Sequence, residues 1–164
     1  MNKWRLPSIP RHVVQMIPID NDGNVLVMHR SNNVRSARNV WSFPTGLHDI
    51  GETIKQTIER ELDEEYGLSP YEHELIGNYE NIAGDPEDTL QYHWVISVYL
   101  VMVESVKEAT NKEPEKHDIM RTDCTVGELL NTFTFLETHK FHESFEDFFR
   151  TCSIYSAIGR LFDR

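Results

Sequence analysis

The chain has 164 residues, enough for one folded domain with a sizeable core, and 26% of them are charged. A formal net charge of −11 argues against binding long nucleic acid or anionic membranes, but it allows a small phosphorylated ligand because a bound metal ion reverses the local charge. Cys124 and Cys152 lack metal-ligand spacing, so we expect two apolar thiols without a disulfide.

The N-terminal segment has no apolar stretch of signal-peptide length, and no run of residues approaches transmembrane length. We therefore expect a cytoplasmic protein with no membrane partner, and a homodimer stays compatible with the composition. Residues 1–10 contain two prolines and Trp4, and predict an extended arm that either docks on the domain or covers a ligand.

The first predicted elements form a hairpin. Residues 12–17 are rich in β-formers and predict a strand. Pro18 cannot donate to a ladder, so it marks either the end of this strand or an unpaired edge position. The polar cluster at residues 20–24 predicts a turn, and residues 24–30 predict the second strand.

A polar loop is expected at residues 31–39, with Arg30 at its mouth and Arg35 and Arg38 inside it. Arginines near a phosphate site are suggestive, although most arginines are simply surface residues. A short strand at residues 40–43 is predicted to end at Pro44.

The next segment carries an acidic helix. Glu61, Glu64 and Glu65 stand three and four residues apart, which places them on one helix face. Crowded carboxylates repel unless a cation sits among them, and hard oxygen ligands suit Mg²⁺ or Mn²⁺. Arg60 can hold a carboxylate in bidentate geometry. The alternative is a solvated acidic face.

The helix is predicted to span residues 53–66, with Gly67 as a left-handed C-cap. Its buried stripe recurs every four residues, at Ile54, Ile58 and Leu62. Glu52, just before the helix, has two interpretations that stay open: it favours the helix dipole, or it binds metal.

The second half is predicted to hold strands at residues 72–83, 90–103 and 118–123, the longest of them central and covered on both faces. Residues 84–88 predict a turn. Residues 125–130 predict a short helix with Thr125 as N-cap, and residues 139–162 predict one long amphipathic helix whose aromatic stripe belongs to the core.

The spacing from Gly46 to Leu68 carries a family resemblance. The fixed positions of the pattern GX5EX7REUXEEXGU, with U aliphatic, are all filled: Gly46, then Glu52 after five residues, Arg60-Glu61-Leu62 after seven more, Glu64-Glu65 and Gly67-Leu68. This resembles the Nudix box. A solvated acidic face accounts for the glutamates but not for the glycines, the arginine and the spacing together.

The resemblance implies an α/β Nudix fold, in which a mixed β-sheet is sandwiched between α-helices and the box forms a loop, a helix and a loop. Residues 1–164 are expected to form a single Nudix hydrolase domain. Thr45 stands where many members have a second glycine, and we expect Gly46 to preserve the backbone bend.

The family hydrolyses nucleoside diphosphates linked to another group, so the resemblance implies a nucleotide substrate and a Mg²⁺ or Mn²⁺ cofactor. Arg60 would orient the carboxylates, and Glu61 or Glu64 would take the proton of the attacking water. The metal ligands carried over by position are Gly46 through its carbonyl, Glu52, Glu61, Glu64 and Glu65.

A weaker resemblance concerns residues 112–118, which are similar to the EPxKxE-type stretch of MutT-like nucleoside triphosphate hydrolases. It implies Asp118 as a further metal ligand, although the tryptophan-rich strand that usually follows is missing. A charged surface loop is the alternative.

Two substrate contacts are predicted from the usual place of the base in this fold. Phe43 either lines the base pocket or belongs to the core, and Arg30 reaches phosphate or base.

Three functions remain open. The first is a nucleoside triphosphate pyrophosphohydrolase that releases a nucleoside monophosphate. The second is hydrolysis of ADP-ribose, another nucleotide sugar or an RNA 5′ end. The third is a non-catalytic ligand sensor, which the intact set of box carboxylates disfavours. An isoprenoid diphosphate isomerase would need a cysteine ahead of the box, and none precedes Cys124.

Overall fold

A computed structural model describes residues 9–34, 37–84 and 91–162 of the chain. The predicted arm with Trp4, the position of Arg35 and most of the turn predicted at residues 84–88 lie outside these residues.

One mixed sheet forms the centre of the described structure. Its strands are β1 (Arg11–Ile19), β2 (Asn24–Arg30), β3 (Trp41–Ser42), β4 (Thr45–Leu47), β5 (Pro70–Gly84), β6 (Gln91–Val103) and β7 (His117–Thr125). The order is β3-β2-β1-β6-β5, with β4 paired to β1 and β7 paired to β2. β1 and β6 are parallel, whereas the other pairs are antiparallel.

Helices cover both faces of this sheet. They are α1 (Ile54–Tyr66), α2 (Val126–Leu130), α3 (Thr132–Thr138), α4 (Glu143–Thr151) and α5 (Ile154–Phe162). Alternation along β1 separates two apolar layers, since Val14 and Met16 pack with α1 whereas Ile17 and Ile19 pack with the C-terminal helices. The predicted fold class, a mixed sheet between helices, is confirmed.

The ends of α1 follow from its sequence. Thr53 and Gln56 form a reciprocal capping box at the N-terminus. Gly67 has φ 66° and donates its N–H to the Asp63 and Leu62 carbonyl oxygens, which a left-handed cap requires. The predicted cap at Thr125 is also present, as a capping box with Glu128.

Of the two interpretations of Pro18, the one in which it ends the first strand is wrong. β1 continues to Ile19, and Pro18 pairs with Val101 of β6. The backbone N–H groups of Met16 and Asp20 donate to the carbonyl oxygens of Pro44 and Asn24. The even-numbered residues along β1 therefore direct their N–H groups away from β6. The missing N–H of Pro18 therefore falls on that side, and the β1–β6 ladder is not interrupted.

The strand predicted at residues 40–43 is shorter in the structure, where β3 covers only Trp41 and Ser42. A second short strand, β4, begins directly after Pro44.

The single C-terminal helix predicted for residues 139–162 is also wrong, because the chain forms α4 and α5 with a break between them. Cys152 has ψ 154°, an extended conformation that ends α4. Both helices bury residues in the same aromatic and aliphatic cluster, so the apolar spacing continues across the break and conceals it.

No helix in the described ranges is long and apolar enough to cross a bilayer.

Candidate active site

Gly46 lets the loop before α1 lie directly against the helix. It pairs with Val14 in the β1–β4 ladder, and a Cβ atom placed on it would overlap the Glu61 carboxyl group. Only glycine fits this approach. Glu61 is 9% exposed, and burial raises its pKa against the opposing effect of Arg60.

Arg60 joins the loop to the helix. Its Nε donates to Glu52 Oε1 at 2.7 Å, its Nη1 donates to Glu61 Oε1 at 2.6 Å, and its Nη2 donates to the Leu47 carbonyl at 3.1 Å. Glu64 Oε2 lies 3.5 Å from Nη1. The hydrogen bonds from Arg60 lower the pKa of Glu52 to about 2, so Glu52 is ionised at neutral pH.

A second acidic contact lies at the C-terminal end of α1. Burial and the adjoining carboxyl group of Glu113 raise the pKa of Glu65 to about 8. Burial alone would raise the pKa of Glu113, but hydrogen bonds from Lys116 and Glu65 outweigh it and lower that pKa. Lys116 Nζ donates to both Glu113 oxygens at 2.7 Å.

Asp118 does not occupy this place. Its carboxylate pairs with His29 Nδ1 at 2.7 Å, on the exposed side of β7. His117 beside it is buried, and strand alternation therefore directs Asp118 to the other face. Glu113, from the same acidic stretch, is the carboxylate that lies against Glu65. Its position three residues before Lys116 was the available signal in the sequence.

The acidic groups have the right chemistry for a hard divalent cation. Among the described residues, no three acidic, histidine or cysteine side chains already surround one point. Glu52 and Glu61 face Arg60 instead, and Glu65 shares a hydrogen bond with Glu113. A carboxyl pair that shares a proton is a site where a cation can replace the proton, so the donors fit Mg²⁺ or Mn²⁺.

A cavity of about 280 Å³ opens beside Gly46, on the sheet face away from α1. This is at the small end of ligand pockets, which hold roughly 300–1,000 Å³. Its walls combine aromatic rings with a few polar side chains. The lining residues include Gln15, Arg30, Trp41, Tyr79 and Trp94.

The structure separates the two predicted substrate contacts. Arg30 lines the cavity, its Nε donates to the Ala37 carbonyl at 3.1 Å, and burial lowers its pKa. Phe43 is completely buried and stacks on Phe141, with ring centroids 5.2 Å apart. It belongs to the core, as one of its two interpretations proposed, and its neighbour Trp41 forms the cavity wall.

Sequence reasoning missed a polar chain behind the loop. His48 Nε2 lies 2.7 Å from the Glu52 carbonyl oxygen, and its Nδ1 lies 2.9 Å from His12 Nδ1. His12 Nε2 in turn lies 2.7 Å from Ser97 Oγ, which donates to Asn78 Oδ1 at 2.7 Å. These residues tie the loop at residues 47–52 to the sheet.

Known proteins resemble this chain over a region that includes the segment from Gly46 to Leu68. The sequence model of the NUDIX domain family matches residues 10–145. A MutT protein from Methanosarcina mazei has a similar solved structure, with a TM-score of 0.64 at 21% identity, covering 88% of this chain and 94% of that one. At this identity the likeness concerns the fold alone.

Two curated relatives align over shorter regions. An ADP-ribose pyrophosphatase of Methanocaldococcus jannaschii is 34% identical over 86 residues, which is 52% of this chain and 49% of that protein. An RNA pyrophosphohydrolase of Francisella tularensis is 40% identical over 58 residues, 33% of this chain and 37% of that protein. The aligned regions thus span half or less of these relatives.

Proposed function

This chain belongs to the NUDIX domain family, and from that premise we propose that it is a Nudix hydrolase. The proposed substrate is a nucleoside triphosphate, or a related nucleoside diphosphate derivative, whose diphosphate linkage is cleaved with Mg²⁺ or Mn²⁺. A nucleoside monophosphate and pyrophosphate leave from the triphosphate. The proposal treats residues 1–164 as one domain.

The observation that carries the proposal is the meeting of the cavity and the acidic helix at Gly46. Gly46 lines the cavity, and the Glu61 carboxyl group lies against the same residue. A base held in the cavity would therefore have its phosphates beside the carboxylates of α1. Arg30, which also lines the cavity, can neutralise phosphate charge there.

The carboxylates would hold the metal with the Gly46 carbonyl. A divalent ion supplies Lewis-acid neutralisation of the diphosphate charge. In this proposal the holding groups are Gly46, Glu52, Glu61, Glu64 and Glu65. Glu113 joins them because it lies against Glu65, and it replaces Asp118.

Arg60 acts through the carboxylates rather than on the substrate. Its fork holds Glu52 and Glu61 at 2.6–2.7 Å, which keeps two like charges apart and correctly oriented. A carboxylate oxygen of Glu61 or Glu64 would accept the proton of the attacking water. Glu64 is the more accessible of the two, with 60% of its side chain exposed.

A second candidate is hydrolysis of ADP-ribose or of an RNA 5′ end. This candidate is supported by the local similarity to two curated relatives, which are an ADP-ribose pyrophosphatase and an RNA pyrophosphohydrolase. The net charge of −11 weighs against long RNA because phosphate neutralisation supplies much of such binding. A non-catalytic sensor is disfavoured by the complete set of box carboxylates.

A substrate panel with Mg²⁺ tests the proposal. Nucleoside triphosphates, ADP-ribose and a 5′-triphosphorylated RNA are incubated separately, and the products are resolved by chromatography. Monophosphate plus pyrophosphate supports the first candidate, whereas AMP plus ribose phosphate, or a 5′-monophosphate RNA, supports the second. Tight ligand binding without turnover anywhere in the panel contradicts both.

A further inference from the structure

Gln15 is a buried polar side chain that faces the cavity. It exposes only 3% of its surface, and it lies on β1 among apolar neighbours of the core. Such a residue needs partners, because an unpaired buried amide costs free energy. One partner is Tyr79 of β5, whose hydroxyl donates to Gln15 Oε1 at 2.9 Å.

This hydrogen bond determines which way the amide points. The Tyr79 hydroxyl is the donor in this contact, because the amide oxygen of Gln15 is the atom within hydrogen-bonding distance of it. The amide oxygen thus faces Tyr79. Rotating the amide by 180° would place NH₂ against the hydroxyl and leave the phenol proton without an acceptor.

The amide NH₂ is then the part of Gln15 presented to the cavity. Within the described ranges, it has no protein hydrogen-bond partner. The amide oxygen keeps one lone pair besides the one that Tyr79 uses. A ligand that reaches the amide from the cavity can therefore meet the NH₂ donor and, beside it in the same plane, the free lone pair of the oxygen.

A ligand complementary to this pair has an acceptor beside a donor. The lactam edge of guanine, uracil or thymine has this arrangement, with a ring carbonyl next to a ring N–H. The amidine edge of adenine or cytosine has the reverse arrangement, an amino group next to an unprotonated ring nitrogen. An amide can pair with either edge if the base is turned over. Phosphates held at the loop beside Gly46 would fix which way the base faces, and in that one pose the amide discriminates between the two edges.

The position of Gln15 also suits a base. Gln15 is opposite Thr45 in the β1–β4 ladder, one residue from Gly46. The indoles of Trp41 and Trp94 line the same cavity and offer aromatic surfaces against which a base can pack. A base read by Gln15 would lie next to the loop where the phosphates are proposed to bind.

We infer that Gln15, held in one orientation by Tyr79, selects substrates whose base presents a lactam edge and disfavours those whose base presents an amidine edge. This inference rests on the proposed function, since it specifies the base of the nucleotide substrate.

Three pairs of nucleotides test it: GTP against ATP, UTP against CTP, and ITP against ATP. UTP and CTP exchange a carbonyl for an amino group at one ring position. GTP and ATP do so as well but also differ by the 2-amino group of guanine, so ITP against ATP is the third pair that isolates the exchange at C6. The wild-type protein is expected to favour the lactam member of the better-fitting pair by about tenfold or more in kcat/KM. A ratio near one, or a preference for the amino member, would overturn the inference.

Two variants separate selection from stability. Gln15→Met should lower kcat/KM for the lactam substrate about tenfold and bring the ratio near one. Tyr79→Phe frees the amide to rotate, so it should raise kcat/KM for the amino substrate while the lactam substrate is still used. Tyr99→Phe, which removes a hydroxyl on the opposite sheet face, is the matched control and should leave the ratio unchanged.

A binding measurement keeps this test independent of catalysis. Calorimetric titration with IMP and AMP needs no hydrolysis, so a protein that turns over no nucleotide contradicts the proposed function while the IMP-to-AMP ratio of affinities still decides the inference. Melting temperatures identify variants that fail to fold. If both Gln15→Met and Tyr79→Phe fold and keep the wild-type ratio, Gln15 does not read the base.

Discussion

At the scale of single residues, the carboxylates of α1 divide into groups with different surroundings. Glu61 is buried against Gly46, Glu65 shares a hydrogen bond with Glu113, and Glu64 is largely exposed. The helical spacing of the three glutamates does not reveal these differences, because they depend on what packs against each turn of the helix.

Glu64→Gln should keep the fold, since it removes like-charge repulsion without changing size. Turnover at saturating Mg²⁺ should fall about 10²–10³-fold, as expected when a charged group that stabilises the transition state is lost. Glu59→Gln, on the same helix and paired with Lys55, is the control and should be near wild type. Wild-type turnover by the Glu64 variant would exclude the proposed role.

Arg60→Lys keeps a positive charge but loses the guanidinium fork that joins Glu52, Glu61 and the Leu47 carbonyl. We expect lower kcat and a higher Mg²⁺ concentration for half-maximal activity, because the ligands would be misplaced. A Mg²⁺ titration of the rate measures both. Lys55→Arg, on an exposed turn of α1, is the control, and an unchanged Mg²⁺ dependence in the Arg60 variant would contradict the orienting role.

Phe43→Leu distinguishes a core residue from a pocket residue. Because Phe43 is completely buried against Phe141, we expect a loss of about 1–2 kcal/mol in the free energy of unfolding and an unchanged KM. Phe133→Leu, on a residue 63% exposed, should change neither quantity. A raised KM with unaltered stability would place Phe43 in the pocket after all.

The sequence shows individual site residues only where their spacing is local. The glutamates and Arg60 stand in one helix, and their intervals predict that they share a face. Spacing does not show that Glu113 lies against Glu65 while Asp118 pairs with His29, because that depends on the direction of the strand. The His12–Ser97 contact joins residues 85 positions apart, and only the sheet register brings them together.

At the scale of elements, local sequence signals mark both ends of α1 and the start of α2. The ends of the other helices and strands depend more on tertiary packing. Caps at Thr53, Gly67 and Thr125 are readable because the residue type itself makes the hydrogen bond. The break between α4 and α5 carries a weaker signal, Ser153 directly before α5, a residue type that suits an N-cap. The apolar spacing continues past it and points to one helix.

The loop at residues 47–52 is an element anchored twice, by Arg60 in front and by His48, His12 and Ser97 behind. Ser97→Ala removes the hydroxyl that His12 contacts and should cost about 1 kcal/mol of stability. Hydrogen exchange should become faster at the amides of this loop. Ser156→Ala, on the exposed side of α5, is the control. Unchanged protection of the loop would show that the polar chain does not anchor it.

At the scale of the whole molecule, the fold class could be predicted because one motif and the alternation of elements pointed to the same architecture. The mixed sheet with helices on both faces is confirmed, including the central position of β6 between β1 and β5. The cavity could not be predicted, since its walls come from the strands β1 to β6 and from α4, many of which are far apart in the sequence.

The whole structure places a base-sized cavity and an acidic helix on either side of Gly46, and this arrangement is the basis of the proposed activity. Any change that separates them should uncouple binding from hydrolysis, because the base would be held while its phosphates lie away from the carboxylates.

The most direct test is the stoichiometry of products from a nucleoside triphosphate, with Mg²⁺ and again with excess EDTA. The expected result is one nucleoside monophosphate and one pyrophosphate for each triphosphate consumed, with the reaction abolished by EDTA and restored by added Mg²⁺. Release of a nucleoside diphosphate and inorganic phosphate, or turnover that persists in EDTA, would contradict the proposed function.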